Sequence, residues 1–337
     1  MNNNKILIIA EVGQAHDGSL GLAHSFIDAL SDTGVDIVKF QTHVADAESS
    51  EYESFRINFS YEDVTRYDYW KRMEFTLEQW KGLADHCTEV GLEFMSTPSC
   101  LAAVDLLEKL DVKRYKVGSG DISNKLLLQK LALTNKPVII STGMSTIDEI
   151  QHALNVFPNP KKTISLLQCT SKYPTQPSDI GLNFINEYQS IFDCPIGFSD
   201  HSGTIYPCLA AAALGCAIVE FHIVFDKKMF GPDSTSSLTI KEVQQLVKGI
   251  RYISDANNNQ VAKGTQNHIK HMKSIFGKSL AVNKDLKKGH IITFDDLESK
   301  KPPGYGINAE LYERVLGREL IKSKIMYDYL NYEDLKN

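Results

Sequence analysis

The chain has 337 residues, of which 42% are hydrophobic and 23% charged, so it can build a packed core and is not a disordered polymer. Lysine and arginine number 36 against 42 aspartates and glutamates, a net charge of -6. That balance argues against a broad nucleic-acid surface or a patch for acidic membranes, but it does not exclude a few lysines gathered around an anionic substrate.

Short apolar runs alternate with helical periodicity through the first three-quarters of the sequence. Strands are predicted at 5–12, 36–43, 93–98, 114–120, 137–143, 163–170, 195–201 and 218–224. Helices are predicted at 20–33, 77–90, 101–110, 125–134, 146–156, 182–191, 205–214 and 240–254. Eight strands, each followed by a helix, point to a closed (β/α)8 barrel of roughly 250 residues. A doubly wound open sheet is the alternative, but the first strand runs into Glu11-Val12-Gly13-Gln14-Ala15-His16-Asp17-Gly18, which lacks the G-x-G-x-x-G spacing. The connection 44–76 is far longer than an ordinary loop and rich in aromatics such as Phe55, Phe59, Tyr69 and Trp70. It leaves the catalytic face of the barrel, and is read as a lid rather than an insertion packed on the rim.

Past residue 256 the pattern changes. The barrel is assigned to 1–264, a linker to 265–275 with Gln260, Lys263 and Gly264 leading into it, and a small β-rich module to 276–337. In that module 279–283 and 291–294 are predicted strands, and Lys301-Pro302-Pro303-Gly304-Tyr305-Gly306 an irregular loop. About 60 residues make only a thin core. No run suits a membrane span, since the longest, 208–219, contains Gly215 and falls short of the roughly 18–20 apolar residues required. The apolar run at 6–10 is too short for a signal sequence, so a cytoplasmic location is expected. The six cysteines form no C-x-x-C pair and are read as reduced core thiols.

In a (β/α)8 barrel the chemistry lies at the C-terminal strand ends, and all eight predicted strands turn polar there. They contribute Glu11; Lys39 and Gln41; Ser96 and Thr97; Lys116, Ser119 and Asp121; Ser141 and Thr142; Thr170 and Ser171; Ser199, Asp200 and His201; Glu220 and His222. Alternation places Lys39 with Gln41, and Glu220 with His222, on one face. Lysines in a barrel mouth are costly unless they meet an anion. Lys39 and Lys116 with the hydroxyls of Ser119, Ser141 and Ser199 therefore form a candidate cradle for phosphate or carboxylate, the alternative being that they pair with Glu11 or Asp121. His201 and His222 end adjacent strands and can converge on a metal; imidazoles alone would suit Zn, Cu, Fe or Ni, and oxygen-rich completion Mn or Mg. His16 and His43 are weaker ligand candidates. Gly231-Pro232-Asp233 reads as a turn that hangs a carboxylate over the mouth.

The segments Ala10-Glu11-Val12-Gly13, Val38-Lys39-Phe40-Gln41-Thr42, Tyr115-Lys116-Val117-Gly118-Ser119-Gly120, Ser141-Thr142-Gly143-Met144, Gly197-Phe198-Ser199-Asp200-His201 and Gly231-Pro232-Asp233 together resemble the sialic acid synthase family. Val282 to Gly289 and Lys300-Lys301-Pro302 resemble that family's antifreeze-like (SAF) domain. The resemblance implies a phosphoenolpyruvate-dependent, metal-assisted aldol-type synthase. Such an enzyme condenses phosphoenolpyruvate with an N-acetylmannosamine-type sugar to a nine-carbon 2-keto acid and releases phosphate. It is most simply an N-acetylneuraminate synthase, with a legionaminic or pseudaminic acid synthase acting on a diacetamido trideoxy sugar as the alternative.

By the same resemblance Glu11 would be the acid/base. Lys39, Lys116, Ser119, Ser141, Ser171 and Ser199 would hold phosphoenolpyruvate, and Gln41, Tyr173, Asp233 and Lys301 the sugar. His201 and His222 would bind a divalent ion, Mn2+ with Mg2+ or Co2+ as substitutes. The implied assembly is a domain-swapped homodimer, with no nucleic acid or membrane partner. Ala15, Asp121, Ser171, Phe221 and Lys301 depart from the family pattern and bear on which sugar is accepted. Competing readings are a metal aldolase that does not consume phosphoenolpyruvate, for which so many phosphate partners are superfluous, and a non-catalytic sugar-binding protein.

Overall fold

The computed structural model describes residues 5–57, 59–259, 261–262 and 267–336. The expected linker residues Gln260, Lys263 and Gly264 lie outside them. The chain divides into two compact units, the first ending at Asn259.

In the first unit β1 (Leu7–Gly13), β2 (Ile37–Thr42), β3 (Glu93–Pro98), β4 (Tyr115–Val117), β5 (Val138–Ser141), β6 (Ile164–Cys169), β7 (Ile196–Asp200) and β8 (Ile218–Val224) pair in parallel in sequence order. Pairing of β1 with β8 closes the barrel. A two-residue strand, β9 (Leu238–Thr239), adds to the end of β8. β3 and β8 have the bounds expected from the sequence. β4 is much shorter than 114–120, because Ser119–Asp121 turns as a 3-10 helix immediately after Gly118.

The helices start where caps allow. Ser19 accepts from Leu22 N at the head of Leu20–Ser31, and capping boxes open Leu77–Glu89, Ile147–Leu154 and Ile240–Asn258. Their apolar stripes pack on the outer faces of the strands around Phe26, Phe40, Trp80, Tyr115, Phe198 and Phe221.

The barrel interior is layered. Ile9, Ile37, Met95, Ile139, Leu167 and Ile218 form a separate buried apolar cluster. Two residues further along five of these strands, on the same face, stand Glu11, Lys39, Ser141, Cys169 and Glu220. The apolar layer is thus the floor on which a polar layer rests, and it shuts water out from below.

The insertion 44–76 folds in part as helices Ala45–Glu48 and Arg66–Met73, the latter opened by a Thr65/Asp68 capping box. Neither was predicted. Ala45, Tyr69, Trp70 and Met73 make a small core of their own with Phe55, Phe59 and Tyr67. Gly18, with φ of +75°, lets the insertion approach the loop after β1, since a Cβ there would lie 2.3 Å from Arg72 O.

In the second unit β10 (Ser279–Val282) and β11 (Leu297–Lys300) pair antiparallel, Ser279 opposite Lys300. The expected strand at 291–294 does not form. Ile291 makes one bridge to Glu319, and Phe294–Asp296 is a 3-10 turn because Thr293 and Asp296 cap each other. A helix, Asn267–Phe276, occupies most of the stretch read as a linker. The thin core, including Leu280, Val282, Ile292, Ile307, Val315, Leu320 and Leu330, is supplemented by two buried carboxylates. Asp296 meets Lys284 and His290, each at 2.8 Å, and Asp334 meets Lys322 at 2.6 Å and also Lys324. No helix among the described residues is long and apolar enough to cross a membrane.

Candidate active site

A cavity of about 420 Å3 opens at the C-terminal ends of the strands. Its walls include Glu11, Lys39, Gln41, Lys116, Ser119, Ser141, Ser171, Tyr173, Ser199, His201 and His222. Asp233 lines an adjoining pocket with Gln41, Tyr173 and His222. The barrel residues expected to hold substrate or metal or to act as acid/base are therefore gathered at one place, whereas Lys301 belongs to the second unit, exposed, with Nζ 4.6 Å over the Phe276 ring.

Four ionisable side chains meet above the apolar floor with almost no exposure: Glu11 at 1%, Lys39 and Lys116 at 3% each, Glu220 at 4%. The register sets Glu11 beside Lys39 on one side and His222 on the other. Lys39 Nζ lies 2.7 Å from Glu11 Oε2 and 3.7 Å from Glu220 Oε1, and donates to Thr97 Oγ1 at 3.2 Å. Lys116 donates to Ser141 Oγ at 2.6 Å and lies 3.7 Å from Glu220 Oε1, which also accepts from Ser199 Oγ at 3.2 Å. The lysines do pair with carboxylates, but Lys116 meets Glu220 rather than Asp121.

Burial works against both ammonium groups. For Lys39 the carboxylates of Glu11 and Glu220 more than offset it, and the pKa is raised. For Lys116 burial wins over the pull of Glu220, with Lys39 adding repulsion, and the pKa is lowered. Burial opposes ionisation of Glu220 as well, yet Lys116 and Lys39 keep it below the usual carboxylate range.

The insertion reaches this cluster through a relay of hydrogen bonds. Tyr69 OH donates to Gln14 Oε1 at 2.8 Å, Gln14 Nε2 to Gln41 Oε1 at 3.0 Å, and Gln41 Nε2 to Glu11 Oε1 at 2.9 Å. Both Gln41 and Glu11 are thereby fixed in orientation. On the opposite wall Gly143 N donates to Ser119 Oγ at 3.0 Å. A Cβ on Gly143 would stand 2.7 Å from Cys169 Sγ and 2.8 Å from Ser171 Oγ, so glycine is needed for that approach.

The rings of His201 and His222 are 5.4 Å apart. His201 Nδ1 lies 2.8 Å from Thr170 O, a carbonyl that can only accept, so the proton sits on Nδ1 and Nε2 keeps its lone pair. Burial, and then His222, lower the His201 pKa to about 4, which leaves a neutral imidazole. Tyr173 stacks on His201 at 4.2 Å, its hydroxyl 3.2 Å from Nε2. Two imidazoles facing the cavity, one oriented by a backbone carbonyl, fit a divalent ion whose other positions are left to substrate and water. No cluster of three or more His, Cys, Asp or Glu suited to a metal occurs among the described residues.

His16 takes no part. It is buried against Phe75, accepts from Gly18 N, and burial followed by His43 and Arg72 pushes its pKa down to about 3. His43 lines the cavity but is stacked on Trp70 and lies 2.7 Å from Glu48.

Glu220, named from the sequence among the polar strand ends but given no role, and Arg56, not named at all, are the site residues that sequence reasoning missed. Glu220 carried a usable signal, two positions before His222 on the inward face. Arg56 carried none, since it sits in an aperiodic insertion. Its guanidinium lies 4.2 Å over the Tyr173 ring and its Nη2 donates to Asp233 Oδ1 at 3.0 Å.

The fold and site thus define a (β/α)8 barrel protein with a deep polar mouth, two buried lysines and a converging histidine pair. The chain belongs to the NeuB family, whose pattern it matches over residues 26–262. It is 36% identical over 325 residues to N,N'-diacetyllegionaminic acid synthase of Campylobacter jejuni, covering 95% of this chain and 97% of that protein. It is 34% identical over 303 residues to N-acetylneuraminate-9-phosphate synthase of Homo sapiens, covering 88% and 84%. A crystal structure of N-acetylneuraminic acid synthetase from Leptospira borgpetersenii superposes with a TM-score of 0.71 at 30% identity, covering 81% of this chain and 93% of that one.

Proposed function

We propose that the protein is a nonulosonate synthase, which condenses phosphoenolpyruvate with an N-acylated aldose of the mannosamine type and releases inorganic phosphate. The observation that carries this reading is the pair of buried lysines, ringed by serine hydroxyls, beside a pair of converging histidines in one cavity of a NeuB family member. Lys39 and Lys116 would meet the phosphate and carboxylate of phosphoenolpyruvate, with Ser119, Ser141, Ser171 and Ser199 completing their hydrogen bonds. Gln41, Tyr173 and Asp233 face the space left for the sugar.

In the reaction the enol carbon C3 attacks the aldehyde carbon, forming the new C–C bond and leaving positive charge on C2. Water adds at C2, and the tetrahedral phosphohemiketal expels phosphate by cleavage of the C2–O bond. Glu11 lies at the junction of the lysine cluster and His222, where it can deliver a proton to the aldehyde oxygen or take one from the water. The buried ammonium groups hold the departing phosphate dianion in a site screened from solvent. His201 and His222 would hold a divalent ion, Mn2+ in the first instance, which when bound supplies Lewis-acid polarisation of the acceptor carbonyl.

The second unit is taken as the family's antifreeze-like domain, and the working form as a homodimer in which Lys301 reaches the sugar. N-acetylmannosamine is the simplest acceptor, giving N-acetylneuraminate. The names of the C. jejuni and human relatives support a diacetamido trideoxy sugar and a sugar phosphate as alternatives. The test is phosphate release from phosphoenolpyruvate with Mn2+ and each sugar in turn. Release that requires a sugar, with a nine-carbon 2-keto acid in the products, supports the proposal; none with any sugar refutes it.

A further inference from the structure

One thiol ties the ends of β4, β5 and β6 together on the wall where the serines gather. Cys169, the last residue of β6, lines the cavity, and among the described residues it is the only cysteine to do so. It reaches across the end of β5: its Sγ lies 3.0 Å from Ser119 Oγ, in the turn after β4. The passage is open because residue 143, just past β5, is a glycine. A Cβ there would stand 2.7 Å from Cys169 Sγ, well inside contact distance, and would push the thiol off Ser119.

A serine hydroxyl has one proton to give and two lone pairs to fill. A phosphate dianion only accepts, so a hydroxyl serves it best when other donors occupy those lone pairs and the proton points at the ligand. Gly143 N already donates to Ser119 Oγ at 3.0 Å. The Cys169 S–H can fill the second lone pair, which leaves the Ser119 O–H free for the cavity. Sulfur is also a weak acceptor, so the thiol does not hold the Ser119 proton against an arriving phosphate as a carboxylate would. Ser199 shows the contrast, since its hydroxyl donates to Glu220 Oε1 at 3.2 Å. Lys116 does for Ser141 what the thiol does for Ser119, donating to its Oγ at 2.6 Å.

We infer that Cys169 is a positioning residue for phosphoenolpyruvate: its thiol donates to Ser119 when the phosphate is bound, and so directs the Ser119 hydroxyl at a phosphate oxygen. The role is one of orientation, with no covalent or redox step. It rests on the synthase reading and adds to the lysines and serines of the cradle a residue that acts through one of them. Loss of one neutral hydrogen bond sets the scale, so removal of the thiol should weaken phosphate binding by roughly three- to tenfold.

The test titrates the full-length protein, with Mn2+ present, with phosphoenolpyruvate and separately with inorganic phosphate, so that turnover is not needed. Cys169→Ala should weaken both ligands by that factor, whereas Cys169→Ser, which keeps a donor, should stay within about twofold of the wild type. In a Ser119→Ala background Cys169→Ala should change nothing further, because the thiol acts through that hydroxyl. In turnover the KM for phosphoenolpyruvate should rise in Cys169→Ala, while kcat and the KM for the sugar stay near their wild-type values. Equal losses in the alanine and serine variants, or additive losses in the Ser119→Ala background, overturn the inference and assign Cys169 to packing. Infrared spectra of the wild type decide the matter where a variant does not fold. The S–H stretch of one cysteine should move to lower frequency when phosphate binds, because the anion polarises the chain from thiol to hydroxyl; S–H bands unchanged by bound phosphate overturn the inference. A wild type that binds neither ligand overturns the inference and the synthase reading together, whereas normal binding with unaltered variants overturns the inference alone.

Discussion

Replacement of Glu220 by glutamine keeps the shape of the side chain and removes its charge, which tests whether the polar layer of the barrel is held by electrostatics. Lys39 would keep Glu11 at 2.7 Å, but Lys116 would lose the carboxylate at 3.7 Å and keep only the Ser141 hydroxyl and a backbone carbonyl. At an effective dielectric near 20, a pair at that separation interacts by about 4 kcal/mol. Breaking one partner of a buried pair typically costs about 3–5 kcal/mol. For a barrel of this size that is a fall in Tm of about 6–20 °C.

The loss is limited by the proton on Lys116. Its pKa already lies below the ordinary 10.5, and without Glu220 it falls further. The folded state then binds fewer protons than the unfolded chain, so stability rises with pH across the interval between the two values. The gap in Tm between Glu220→Gln and the wild type should therefore narrow as the pH rises towards the ordinary lysine value of 10.5. Phosphoenolpyruvate, supplying negative charge where the carboxylate was, should raise the Tm of the variant more than that of the wild type. Differential scanning fluorimetry with and without phosphoenolpyruvate measures both effects. A variant that melts within 2 °C of the wild type (about 1 kcal/mol or less), and responds no more strongly to phosphoenolpyruvate, would refute the account of the cluster.

His222→Ala should weaken Mn2+ binding by roughly 100-fold or more, because one imidazole remains in a mostly aqueous shell; EPR of free Mn2+ reads this, and unchanged affinity would remove His222 from the metal site. In the second unit Asp296 is opposed by burial, but its bonds to Lys284 and His290 hold its pKa well below the ordinary 3.8, so its contribution is full above about pH 4 and lost as the pH falls further. Asp296→Asn should cost that unit about 1.5–3 kcal/mol at pH 7 and flatten its acid transition; an acid transition unchanged by circular dichroism would count against the buried carboxylate. Mixing Lys301→Ala chains with His222→Ala chains should restore activity above either parent if the second unit acts on the partner's barrel, and gain nothing if each site is served by its own chain.

The alternation of β and α was legible because each strand is a short apolar run and each helix has one apolar stripe. The polar strand ends were legible because Ile9 to Glu11, Ile37 to Lys39 and Ile218 to Glu220 repeat one step from floor to mouth. Which acid serves which lysine was not, since that depends on register: Ser199 aligns with Glu220, bringing its carboxylate towards Lys116, while Asp121 lies in the turn after β4. The insertion was legible as a candidate lid from its length and aromatics, but its helices were not, because Arg66–Met73 has only two turns and packs against residues distant in sequence. In the second unit the polar pattern at 293–296 favours a turn over the strand that Ile291 and Ile292 suggest, and the strand forms later, at Leu297–Lys300.

Charge arithmetic links the lysine cluster to the histidine pair. Lys39 and Lys116 are balanced by Glu11 and Glu220, and His201 is neutral, so the cavity does not hold two free cations awaiting an anion. Phosphoenolpyruvate brings about three negative charges, one from its carboxylate and nearly two from its phosphate. Placing these beside two buried carboxylates is unfavourable unless a proton or a cation enters with them. A proton on either acid would meet part of the demand, and a divalent ion on the two imidazoles would meet two charges at once. Metal and phosphoenolpyruvate should then bind with positive coupling, each raising the other's affinity by the same factor. Calorimetric titration of phosphoenolpyruvate should show this coupling in the wild type and its loss in His222→Ala. Equal affinities with and without Mn2+ in the wild type would mean that protonation of the carboxylates alone neutralises the substrate, and would separate the two halves of the site.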